Sequence, residues 1–160
     1  MRRGDAIALK RVTHVLFAAA IALWLMPEVI GGLEHITELA RAVAVLSSAA
    51  GSVIPDADLR FKHRKALHNI LVPLVLVFAL SYAFHGITLA ELAVAWLFIG
   101  WMSHIALDAI TVRGIYLFYP FSKRVIKIGL CRSDSLPCNL VLSALSLVLI
   151  ALRAGKTVVF

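Results

Sequence analysis

At 160 residues the chain has room for one domain, and 61% hydrophobic against 16% charged residues, with a mean hydropathy of +0.92, excludes an ordinary soluble composition. Sixteen Lys and Arg against nine Asp and Glu give a net charge of +7. The basic residues stand in loops beside apolar runs, so orientation in a membrane accounts for them and a nucleic-acid partner is not expected.

Five apolar segments are marked, each near the roughly 17 to 25 residues that cross a hydrocarbon core. The first runs from about Val12 to Ile30, with Arg2, Arg3, Lys10 and Arg11 ahead of it and no small-residue cleavage site behind it, as in a retained signal anchor. The second spans about Ile36 to Pro55. Its Ser47, Ser48, Ala49, Ala50, Gly51 and Ser52 permit close helix packing. The third, about Leu67 to Phe84, contains Pro73, tolerable within a membrane helix when neighbours satisfy the freed carbonyl. The fourth covers about Leu89 to Ile110 and the fifth about Leu136 to Leu152. Cys131 and Cys138 fit neither a metal knuckle nor a redox motif and receive no role. The fold expected is all-α: a polytopic helical bundle with the N-terminus in the cytoplasm. Thirteen of the sixteen basic residues fall in the N-terminus, the second loop and the fourth loop, which share one side if there are five spans.

That topology gathers ionisable groups at one level. His104 and Asp108 lie four residues apart on one helix face, an expensive pair inside an apolar run unless it lines a polar cavity, binds an ion or does chemistry. His14, His63 and His68 fall at the same end, as do Asp56 and Asp58, whereas His35 and His85 fall at the other. Imidazole with carboxylate is the donor set of zinc, manganese or non-haem iron, and seven groups exceed what one tetrahedral zinc needs, so one or two ions are expected, zinc first. Each residue alone also has a plainer reading. His104 with Asp108 can brace helices, Asp56 and Asp58 can be solvated loop acids, and His63 can belong to a positive loop near anionic lipid. After Gly114, the residues Tyr116, Phe118, Tyr119, Phe121, Lys123, Arg124 and Lys127 read as an interfacial anchor or as a segment that presents a lipid phosphate.

Pro55-Asp56-Ala57-Asp58, then His63-Arg64 and His68, then Gly100 to Pro120 with His104, Asp108, Thr111 and Gly114, together resemble the YdjM-type predicted membrane-bound metal-dependent hydrolases, from about His14 to Ser122. The resemblance implies a small multi-span membrane protein, distantly similar to the zinc-dependent phospholipase C and P1 nuclease group. It implies metal ligands at His14, Asp56, Asp58, His63, His68, His104 and Asp108, and a phosphate-holding Arg64. Leu67 and Asn69 replace the hydroxyl residues that commonly flank the second histidine in that family. The expectation is a cytoplasm-facing phosphoesterase acting on a lipid-like substrate, with water as nucleophile and Asp58 as general base. The alternative is a non-enzymatic metal-binding membrane protein, an ion transporter subunit or an assembly protein. An ion path needs ionisable groups through the membrane's depth, and the spans offer almost none.

Overall fold

A computed structural model describes the backbone of residues 3–29, 37–61 and 66–157, and the side chains of residues 10–26, 38–57 and 66–155. The regular elements among the described residues are all helical: α1 (Arg3–Val29), α2 (Thr37–Val53), a 3-10 helix (Ile54–Phe61), α3 (Leu71–Ala83), α4 (Thr88–Ile110) and α5 (Leu136–Thr157). Only two isolated bridges, Thr111 with Cys131 and Ile115 with Ile126, add β pairing among them.

α2 and α4 run parallel at the centre of the bundle and approach almost backbone to backbone. Gly51 faces the Leu97 carbonyl and Gly100 faces the Ser48 carbonyl, so a methyl group at either glycine would collide with the other helix. The small-residue run of α2 is therefore a packing face, as its composition suggests. α1 runs antiparallel to both, with Ser48 donating to the Ala18 carbonyl at 3.1 Å. α5 lies parallel to α1. Thr13 meets Ser143 at 2.9 Å near one end, and the Trp24 indole donates to the Leu149 carbonyl at 2.9 Å near the other. Ala22, Met26, Ala40, Ala44 and Trp96 form one apolar core between α1, α2 and α4, and Trp101, Ile105 and Ile115 form a second under the loop that follows α4.

Three expected boundaries move. α1 begins two turns before the apolar run, which puts Lys10 and Arg11 on the helix rather than ahead of it. α3 begins at Leu71, not near Leu67, so Pro73 occupies the first turn, where no helix carbonyl is freed. At 13 residues it rises about 20 Å, short of a core of about 30 Å. α2, at 17 residues, turns into the 3-10 helix at Pro55. Among the described residues two helices are long and apolar enough to cross a membrane, Thr88–Ile110 and Leu136–Gly155, which supports two of the five spans expected from the sequence. The outward faces of α3 and α5 are apolar, with Val75, Phe78, Val141 and Leu145 exposed.

Candidate metal centre

Four segments bring polar side chains into the end of the bundle where α2 and α4 finish. α1 supplies His14, the 3-10 helix supplies Asp56, the irregular stretch before α3 supplies His68, and α4 supplies His104 and Asp108. All five are at least 96% buried. Local sequence explains each placement. Pro55 ends α2 and turns the chain so that Asp56 follows in a tighter helix. Asn69 donates to the Ala66 carbonyl at 2.6 Å and accepts from the Val72 amide at 3.0 Å, which fixes the turn carrying His68 and caps α3. The residue in the place of a hydroxyl is thus structural. Beside it, the Leu67 carbonyl accepts from the Trp101 indole at 2.9 Å. Thr111 donates to the Asp108 carbonyl at 2.8 Å as α4 stops. Gly114, at φ +63°, then packs against Ile126 and Lys127 with no room for a side chain.

His104 Nδ1 lies 2.6 Å from the Ser52 carbonyl, an oxygen that can only accept, so Nδ1 carries a proton and the neutral ring has its lone pair on Nε2. His104 Nε2 and Asp56 Oδ1 are buried without a hydrogen-bond partner. Four separations surround them: His104 Nε2 to Asp56 Oδ1 at 3.8 Å and to Asp108 Oδ2 at 3.7 Å, His14 Nε2 to Asp108 Oδ1 at 3.6 Å, and His68 Nε2 to Asp108 Oδ2 at 3.5 Å. These gaps are too long for hydrogen bonds. They are close to the spacing of about 3.4 Å between donors that each lie about 2.1 Å from one tetrahedral ion. Two three-donor groups qualify, His14–His104–Asp108 and Asp56–His68–His104. Both use His104. Its single free nitrogen can serve one ion, so the two groups overlap at His104. The His14 and His104 rings stack with centroids 3.9 Å apart, which holds the two imidazoles side by side at that centre.

Of the seven expected ligands, five converge in this way. The side chain of Asp58 and residues His63 and Arg64 lie outside the described residues, as does His35. His85 is exposed at the far end of α3, 3.2 Å from Glu91.

Two neighbours were missed by the sequence reading. Lys10 Nζ lies 3.0 Å from Asp108 Oδ1 and 3.3 Å from Oδ2, with its side chain 11% exposed. Arg11 Nε lies 3.8 Å from Asp56 Oδ2. In the sequence both read as orientation charges ahead of the first span. The usable signal was spacing, because Lys10 and His14 are four apart and share a helix face once the helix extends to include them.

A small cavity adjoins the cluster, lined on one side by Lys10, His14 and Asp108 and on the other by Thr111, Cys131 and Arg132. It holds about 20 Å³, room for a single water-sized group. Cys131 and Cys138, left without a role by the sequence, form a disulfide at its rim, closing the loop onto the first turn of α5. Arg132 forks onto Asp134 with two contacts of 3.2 Å, and this guanidinium holds the Asp134 carboxyl below its ordinary range.

A model of the YdjM inner membrane protein family matches residues 9–160, nearly the whole sequence, and the chain belongs to that family. No curated protein and no solved structure matches it.

Proposed function

From membership of an inner membrane family and from the donor cluster, we propose that this protein is a multi-pass membrane metalloenzyme that hydrolyses a phosphoester, lipid-like in character, at the cytoplasmic interface. The observation that carries the reading is the pair of buried, unpartnered donors, His104 Nε2 and Asp56 Oδ1, held at ion spacing beside three further donors. Leaving such groups unmatched costs about 1–3 kcal/mol each, more if charged, and a bound cation removes that cost. His14, Asp56, His68, His104 and Asp108 would hold the ion, with Asp58 and His63 as further ligands. Zinc suits the mixed nitrogen and oxygen set, and manganese or iron are the other candidates.

When bound, a divalent ion supplies Lewis acidity that activates water and offsets charge on a phosphoryl group. The residues do the rest. Ser52 keeps the His104 ring turned with its lone pair inward. Lys10 and Arg11 neutralise the carboxylates that remain. Asp58, where not used as a ligand, accepts the proton from the attacking water, and Arg64 grips the phosphate. Ligating imidazoles are neutral, so acid competes with the metal for the same nitrogens.

The cytoplasmic orientation rests on the thirteen basic residues that the sequence places in the N-terminal segment and in the loops after the second and fourth apolar segments, which share one side in a five-span topology. A second reading, a metal that only stabilises the fold, is favoured by the full burial of His104 and the narrowness of the cavity. A screen of phosphoester and phospholipid substrates with zinc, manganese or iron separates the two. The enzyme reading predicts turnover that His104→Ala abolishes, and an Asp58→Asn protein that keeps its metal and fold but loses turnover. Equal activity in wild type and His104→Ala contradicts it.

A further inference from the structure

Lys10 is buried against Asp108, yet it also lines the cavity. Around the cluster, the described charges are Asp56 and Asp108, matched by Lys10 and Arg11. These four described charges cancel, and a divalent cation added to them leaves excess positive charge. An anion is what restores balance. The two basic residues are not equivalent for that task. Arg11 has a half-exposed side chain and reaches Asp56 only at 3.8 Å, whereas Lys10 is almost enclosed and stands at the cavity.

Three of the other polar side chains on the cavity wall are engaged elsewhere. Thr111 bonds the Asp108 carbonyl, Asn139 bonds the Ser133 and Ser135 carbonyls, and Arg132 is committed to Asp134. An ammonium has three donors on a flexible stem, and two directions are used by the Asp108 oxygens. We propose that Lys10 is a further anion-holding residue of this centre, binding a phosphoryl oxygen in the adjoining cavity beside the ion. This deepens the phosphoesterase reading and rests on it. The cavity volume fits one such oxygen, so the remainder of the substrate lies outside, toward Thr111 and Arg132.

The test uses zinc-loaded full-length protein in detergent, with inorganic phosphate as the probe, titrated by calorimetry in wild type, Lys10→Met and Lys10→Arg. Zinc content is measured in each. The expected result is phosphate affinity at least about tenfold weaker in Lys10→Met and within about threefold of wild type in Lys10→Arg, with zinc content equal in all three. Unchanged phosphate affinity in Lys10→Met overturns the proposal and leaves the phosphoesterase reading standing. Loss of zinc from Lys10→Met also overturns it, since Lys10 then serves only to hold Asp108. Wild-type protein that binds zinc but no phosphate overturns both.

Discussion

His104 donates through Nδ1 to the Ser52 carbonyl, and that hydrogen bond leaves the other nitrogen able only to accept or to ligate. Replacing it removes a donor that both three-residue groups share. The expected result for His104→Ala is a loss of metal affinity of about 100-fold or more, beyond the range of 10- to 100-fold typical when only a supporting partner of a ligand is lost; a competition titration with a zinc-binding dye measures it. Asp108 makes a separate prediction for metal-free protein. Asp108→Asn strands the buried Lys10 ammonium and is expected to cost about 3–5 kcal/mol, whereas Lys10→Met with Asp108→Asn recovers most of that, as read by thermal unfolding. Additive losses would mean that the ion pair contributes no coupling. The His104 and Asp108 pairing was legible from spacing alone. Lys10 was not, because an apolar-run boundary at Val12 hid the fact that the helix begins two turns earlier.

At the scale of elements, the candidate metal centre depends on how closely α2 and α4 approach. Gly51 and Gly100 set that distance, with Ser52 next after Gly51 and His104 four residues after Gly100. Gly100→Ala is expected to destabilise the protein by about 1–3 kcal/mol, since the Ser48 backbone cannot yield as a side-chain tip would. It should also weaken metal binding, because His104 moves with the helix. Unfolding temperature and zinc affinity, measured on one preparation, check both effects. The run from Ser47 to Ser52 announced a tight contact in the sequence but not its partner, since small residues say that something comes close without saying what. The third helix was misjudged for a related reason. Its apolar run starts at Leu67, but Asn69 bonds the backbone on both sides and delays the helix until Leu71, placing His68 in the turn that aims it at Asp108.

For the whole molecule, two features of the site-bearing end speak about its compartment and point in opposite directions. Its wealth of Lys and Arg favours the cytoplasm. The Cys131–Cys138 disulfide is the kind of bond that persists in oxidising surroundings. The cytoplasmic orientation proposed above follows the charge bias of the sequence, and a disulfide reverses with redox conditions. The account therefore predicts that, in intact cells, both cysteines are thiols that react with a membrane-permeant alkylating reagent before any reductant is added. A pair that resists alkylation until reduced would turn the site toward the other side. Neither the pairing nor its place beside the cavity was legible from a seven-residue spacing, because the loop between α4 and α5 has to fold back through Thr111 and Cys131 before the two sulfurs meet. The gathering of His14, Asp56, His68, His104 and Asp108 at one end was legible, since helix ends alternate between sides in a bundle.

The central claim is that these five side chains hold one metal ion. The most direct measurement is the metal content of full-length protein purified without chelator, wild type beside His104→Ala. The account predicts a stoichiometric transition metal, zinc first, in wild type and its loss from a variant that remains folded. Wild-type protein that is folded, free of metal and unable to take up zinc, manganese or iron would contradict it.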